Sequence, residues 1–281
     1  MSLDSVLVVF AVGAVAGFIG ALFGVGGGIL IVPVLASGFG VPMHTAIGTS
    51  LLCVVATSSA AASRNIRSGM ANVKLASLLE PCTVVGAIAG AFVAGFLRGE
   101  TLMTIFGVTL MLMAIPMSRG QAELGLPAGT GGTTHGRIHL RGRYRDEAKG
   151  SEIEYEVERA PSLMGISVGA GVLSGLLGVG GGIVQVPVMT MLGRIPMKAA
   201  AATSNMMIGV TAVASALVYY GRGDLSPALA AAAVTGVFLG SKAGVTVAAR
   251  IHGSSLGRGF AVFMVLMGIQ LLLKANGLWF S

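Results

Sequence analysis

Apolar residues run almost unbroken along this chain, in stretches too long for strands and too uniformly apolar for helices resting on a soluble core. The runs fall at 3–23, 28–38, 44–63, 73–97 and 101–117, and again at 162–177, 182–193, 198–218, 227–249 and 257–275. Each set reads as an entry helix, a glycine knot, a short helix and three longer helices. Asn72 and Ser226 stand where helix N-caps belong, and Pro227 suits the first helical position after its cap. The pattern predicts an all-α integral membrane protein with about ten hydrophobic segments.

The two sets are one unit used twice. Phe23–Val34, FGVGGGILIVPV, returns as Leu177–Val188, LGVGGGIVQVPV, at an offset of 178 − 24 = 154 residues. Without a gap that offset also aligns Pro42-Met43 with Pro196-Met197, Thr49-Ser50 with Thr203-Ser204, and Gly86 with Gly240. Between Gly24 and Ser50, 14 of 27 positions are identical to their counterparts, too many for chance similarity of greasy helices. Five residues with four glycines cannot remain helical cheaply, so the first two runs of each unit form a broken hairpin and the chain leaves on the side it entered. Each unit then has the parity of an odd number of crossings, and the two repeats are expected to be inverted. Residues 1–117 make the first membrane repeat, 118–160 a linker, and 161–281 the second repeat.

Charge supports that division. Of 29 formal charges, 14 lie between Arg119 and Arg159, leaving 15 for the other 238 residues. An inverted arrangement places 14 of the 18 Lys and Arg residues on one face, the linker among them; a parallel one places 12. By the positive-inside bias the linker is cytoplasmic and both termini lie outside, in a multi-pass protein of the cell inner membrane. Within the linker, Arg137–Arg145 and Glu152–Glu158 alternate with period two around Asp146–Gly150, which predicts an antiparallel β-hairpin with Arg opposite Glu. Its apolar side, carrying Ile138, Leu140 and Tyr144, should rest on the bundle or on another subunit of a homodimer.

A net charge of +7 would suggest nucleic acid in a soluble protein, but membrane proteins acquire it from cytoplasmic loops, so no nucleic-acid partner is expected. Cys53 and Cys82 both sit in apolar runs and offer neither a disulfide framework nor a metal site. The N-terminus lacks the basic stretch of a cleaved signal peptide. No His/Asp/Glu cluster lies within the helices, so no enzyme activity, cofactor or metal is expected.

The candidate chemistry sits in the knots. A Rossmann reading fails for want of a strand before the glycines and an acid between Asp4 and Glu80; a P-loop reading fails for want of Gly-Lys-Ser/Thr. Paired breaks in two inverted halves point to a transporter site, because freed backbone groups survive only beside protein or a watery cavity. The helix starts at Gly26, Gly27 and Gly28, and at Gly180, Gly181 and Gly182, offer N–H groups and about half a positive charge each to a small anion. The alternative is that these glycines only allow close helix packing. Thr49, Ser50, Thr203 and Ser204 are candidate hydroxyl donors, and Gln185 and Asn205, which replace Ile31 and Leu51 of the first half, would make the pocket asymmetric. Glu80 and Lys242 are ionisable residues inside long runs, the one a candidate proton carrier and the other a candidate attractor of the anion. His44 and Lys198, at matching helix starts, read as interface anchors.

The doubled motif, each copy followed by Pro-Met and Thr-Ser, resembles the TauE/SafE family of membrane permeases, also called the sulfite exporter family. The resemblance covers both hydrophobic halves and leaves out the charged linker. It implies an inner-membrane carrier of small sulfur-containing anions such as sulfite or sulfonates, with both glycine motifs lining the path. A negative cell interior favours a monoanion leaving by about 2.3 kcal/mol per 100 mV, which makes export without a coupled ion feasible. An anion channel and proton-coupled uptake of an organic anion are the alternatives.

Overall fold

The computed structural model describes residues 3–118, 140–146, 151–251 and 253–276. Ten α-helices and one two-stranded sheet are found there. The first set comprises α1 (Leu3–Phe23), α2 (Gly28–Pro33), α3 (Met43–Arg67), α4 (Val73–Ala94) and α5 (Gly99–Ser118), with a π-helical turn over Val34–Gly38 after α2. The linker contributes β1 (Arg141–Asp146) and β2 (Ser151–Glu156). The second set comprises α6 (Ala160–Leu177), α7 (Gly182–Met191), α8 (Met197–Gly221), α9 (Pro227–Arg250) and α10 (Gly253–Ala275). Among the described residues, six helices are long and apolar enough to cross a bilayer: α3, α4, α6, α8, α9 and residues 257–275 of α10.

Local chemistry sets the boundaries. The Asn72 side chain accepts a hydrogen bond from Leu75 N at 3.1 Å and caps α4 as its position predicts; Ser226 occupies the corresponding cap without such a bond. Pro42 and Pro196 precede α3 and α8 at matching places. Outside, α4 presents Val85, Phe92 and Val93 to the surroundings, and Phe96 follows in the turn after it, apolar residues that only lipid would cover without cost.

The helices pair across the repeats. α1 packs on α9 and α4 on α6, while α3 meets α8 and α5 meets α10. The backbones meet at glycine: a Cβ on Gly17 would strike Val237, and one on Gly171, its counterpart 154 residues on, would strike Thr83, the counterpart of Val237. Register also gives direction. Gly13 faces Ala233 and Gly17 faces Val237, so α1 and α9 run parallel; Gly171 faces Thr83 and Gly175 faces Ala87, so α6 and α4 do as well.

The linker hairpin forms with the expected register. Arg141 pairs with Glu156, Arg143 with Glu154 and Arg145 with Glu152. Residues 137–139 and 147–150, which carry Ile138 and the expected turn, lie outside the described residues. The apolar face rests on the bundle: Tyr144 and Val157 are buried in its core, with Leu140, Ile153 and Tyr155 packed against it. Glu158 N donates to Gly193 O at 3.2 Å and its carboxylate meets Arg194 at 3.3 Å, which puts the start of α8 on the linker side.

Burial raises the Tyr155 hydroxyl above its ordinary value, with the neighbouring Asn72 side chain opposing the shift. The neutral phenol is thus the docked form. A raised acid contributes stability that is intact below the unfolded value, about 10 for tyrosine, and is lost as pH climbs through the folded value. Thermal stability should fall above about pH 10 together with the growth of phenolate absorbance, and Tyr155→Phe should flatten that fall. An identical decline in Tyr155→Phe would remove the hairpin phenol as its cause.

Candidate functional site

The glycine knots are breaks, as the sequence predicts. α1 ends at Phe23 and α2 begins at Gly28; α6 ends at Leu177 and α7 begins at Gly182. The intervening turns need left-handed backbone at Gly24 (φ +77°) and Gly26 (φ +75°), and at Gly178 (φ +72°), Gly180 (φ +70°) and Gly181 (φ +86°). A side chain would be strained at each of these positions.

The two knots meet at the centre through crossed contacts. Ser204 Oγ donates to Gly24 O at 2.6 Å, and Ser50 Oγ donates to Gly178 O. Gly28 abuts Val179, and Gly182 abuts Val25. Each repeat therefore holds the other's turn. Between the knots stand Val54 and Ile208, counterparts at the offset of 154, both fully buried and both against Gly26 and Gly180. The centre is closed by two branched side chains.

Other candidates take different places. Thr203 Oγ1 donates to Ala199 O within its own helix and accepts from Asn72 N at 3.0 Å, so it secures the entrance to α4. Thr49 is its counterpart, and its buried hydroxyl has no partner. In the first knot Gly27 N approaches Thr57 Oγ1 at 3.4 Å. Asn205 Nδ2 donates to Ala21 O at 3.0 Å.

Polarity around the knots is one-sided. Beside the first, Ala16, Ile19, Phe23, Leu30, Phe260 and Phe263 enclose an apolar cavity. Beside the second, Gln185 and Ser174 are 2% and 0% exposed, and Gln185 Nε2 and Ser174 Oγ have no partner. Ser174 is the nearest side chain to Gly181, and Gln185 N closes the first turn of α7 on Gly181 O at 2.9 Å. Ser167 Oγ bonds Leu163 O at 2.7 Å and reaches Gln185 Oε1 at 3.5 Å. Orphaned donors at this depth cost about 1–3 kcal/mol each, so these two groups lack the partner that buried polar atoms ordinarily have. Gln185 was legible in the sequence; Ser167 and Ser174 were missed. Their signal is that the repeat places Gly13 and Gly20 at the equivalent positions, so two side chains were added in one half only.

The ionisable candidates separate. Glu80 is half-buried on α4, with Oε1 unpartnered and its backbone carbonyl taken by Thr83 Oγ1 at 2.8 Å. Lys242 faces outward on α9, its ammonium 4.4 Å from the centre of the Phe238 ring, and is not brought to the knots. Lys198, read from sequence as an anchor, is 3% exposed, with Nζ on Ala249 O at 3.1 Å. Among the described residues no group of three His, Cys, Asp or Glu side chains could hold a metal.

Comparison with known proteins fits these broken, paired helices. The sequence model of the family "Sulfite exporter TauE/SafE" matches residues 9–271. The chain belongs to the TauE/SafE family. It is similar over most of its length to proteins named as transporters: "Probable membrane transporter protein YunE" of Bacillus subtilis is 26% identical, covering 95% of this chain and 97% of that protein. A protein of Methanocaldococcus jannaschii with the same general name is 28% identical over 93% of both chains. Another, from Haemophilus influenzae, is 28% identical over 96% of this chain and 98% of its own. No solved structure matches. This TauE/SafE protein is thus a multi-pass membrane transporter and not an enzyme.

Proposed function

We propose that this TauE/SafE protein is a secondary carrier of small sulfur-containing anions, such as sulfite or sulfonates, and that it exports them across the inner membrane. The observation that carries this reading is the pair of crossed glycine knots beside unpartnered donors, Gln185 Nε2 and Ser174 Oγ. Backbone amides at Gly28 and Gly180–Gly182 add fixed positive dipoles, while Gly26 N and Gly27 N are taken up by Gly20 O and Thr57 Oγ1, and Thr49 Oγ1 adds a further unspent hydroxyl. These groups suit a solute that accepts hydrogen bonds at several oxygens.

Inversion of the repeats 1–117 and 161–281 about the linker 118–160 belongs to the same proposal. Parallel α1–α9 and α4–α6 pairs support it, since a repeat with α1 and α4 opposed in direction, copied without inversion, would make both pairs antiparallel. The linker then faces the cytoplasm and both termini the outside. Closure of the centre by Val54 and Ile208 favours a carrier that alternates its openings over a standing channel.

Counterflow in proteoliposomes tests the function. Preloaded sulfite should drive saturable uptake of labelled sulfite or sulfonate, with chloride and cations inert. Unitary currents would replace the carrier with a channel; counterflow of a cation alone would end the anion reading.

A further inference from the structure

The two repeats differ at matching turns. On the linker side, the turn from α3 to α4 is tied down by three bonds. Met70 N and Ala71 N both donate to Asn65 O, at 3.0 and 3.2 Å, and Asn72 N donates to Thr203 Oγ1 of α8 at 3.0 Å. The equivalent turn, from α8 to α9, keeps only the first of these, Asp224 N to Tyr219 O at 3.0 Å. Among the described residues Leu225 N and Ser226 N have no partner, and neither has Thr49 Oγ1, the fully buried hydroxyl that corresponds to Thr203 Oγ1.

Distance does not account for the missing bond. The turn from α8 to α9 lies against α3, where a Cβ on Gly48, the neighbour of Thr49, would fall 2.4 Å from Asp224 O. Cover differs in the same sense as bonding. Asn72 is buried with Tyr155 of the linker hairpin beside it, whereas Ser226 is half-buried and caps α9 without a side-chain bond. A dry, unpaired hydroxyl at Thr49 costs free energy that a valine of the same shape would not. The threonine therefore needs a use in some other state of the protein.

We propose that Asn72 with Thr203, and Ser226 with Thr49, are the two halves of a reciprocal latch: the first bond holds the linker side closed and the second holds the outer side closed, each made when the other is broken. The structure is then the state fastened on the linker side and released on the outer one. This rests on the inverted carrier reading, in which a twofold axis in the membrane plane carries each repeat onto the other, so that exchanging their conformations closes one side as it opens the other. In the exchanged state Ser226 N donates to Thr49 Oγ1 and Asn72 N is released. The switch trades one backbone–hydroxyl bond for its equivalent, which keeps the two states close in free energy. Thr49 and Thr203 act as positioning residues that set the balance between them.

Side-specific labelling of the full chain tests the latch, using a membrane-impermeant maleimide on right-side-out and inside-out membrane vesicles without added solute. Ala71→Cys reports the linker side and Leu225→Cys the outer side, in a background of Cys53→Ala and Cys82→Ala that removes the native thiols. Thr203→Val should speed labelling of Ala71→Cys about fivefold or more, the shift in a two-state ratio expected when one buried bond is lost. Thr49→Val should slow it by a similar factor, and Leu225→Cys should change in the opposite sense in each case. Thr203→Ser, which keeps the hydroxyl, should label at wild-type rates. Thr49→Val keeps the test open should Thr203→Val fold poorly, since it removes a hydroxyl that this state leaves unpaired. A cap of purely local role would expose Ala71→Cys in Thr203→Val and leave both Leu225→Cys and Thr49→Val without effect; that result, or a shift of both reporters in the same sense, would overturn the latch. Reciprocal shifts without counterflow of any anion would uphold the latch and remove the solute reading, whereas sulfite counterflow with both valines silent would remove the latch alone.

Discussion

Gly24→Ala should abolish folded, transport-competent protein, whereas Gly69→Ala should cost about 1–2 kcal/mol and leave transport intact. Both glycines have left-handed backbone, at φ +77° and +67°. What separates them is space. A Cβ on Gly24 would lie 2.5 Å from both Cα and the carbonyl oxygen of Ala201, main-chain atoms of α8 that cannot swing aside. A Cβ on Gly69, in the turn after α3, meets nothing within 4 Å. The buried substitution adds overpacking of about 1–3 kcal/mol to the strain of about 1–2, a large part of the 5–15 kcal/mol that holds a typical domain together. It also displaces Gly24 O from the Ser204 hydroxyl, so the opposite repeat loses its hold on this turn. Gly178→Ala should behave alike, since its Cβ would fall 2.9 Å from Ile47 O in the mirrored position. Thermal melting of the purified variants, with sulfite counterflow on those that survive, checks the ranking; a Gly24→Ala protein as stable as Gly69→Ala would remove the crossed knots as the structural centre.

Much of this arrangement is legible in the sequence. Runs at 44–63 and 198–218 became α3 and α8 because uninterrupted apolar sequence between prolines and glycines has no cheaper conformation in lipid than helix. The linker hairpin was legible because charges alternating with period two can pair only across strands, and Arg143 does face Glu154. Contacts between the repeats were not. Ser50 and Ser204 were expected to face a solute, and their hydroxyls instead hold carbonyls 128 and 180 residues away, which no local pattern can signal. Lys198 and Lys242 exchanged environments relative to the reading for a similar reason. Depth along a helix is visible in sequence, but which face is covered depends on the partner: α9 shields Lys198 with its last turn and turns Lys242 outward. The serines of α6 were hidden differently. In a membrane helix a serine ordinarily bonds its own backbone, as Ser167 does, whereas the hydroxyl of Ser174 is left without a partner.

Gln185→Ile, which installs the first repeat's own residue, should raise stability and lower transport together. In the folded protein Gln185 Nε2 is buried without a partner, and its Oε1 has only a long contact with Ser167, whose hydroxyl keeps its bond to Leu163 O. Replacing that amide with a branched apolar side chain removes an unpaired donor at a cost of little else. The gain should be about 1 kcal/mol, seen as a higher melting temperature. Strand-like stiffness is no obstacle, since Ile31 occupies the same place in α2. A carrier that uses the amide to hold an anion beside Gly181 then loses its most directional donor, and counterflow of sulfite should fall about tenfold or more. Opposite signs in the two measurements are what distinguish a binding group from a packing group: a residue kept for stability would lose both, and a neutral one neither. Stability raised with counterflow unchanged would show that Gln185 does not touch the solute, and would move the anion site away from the second knot.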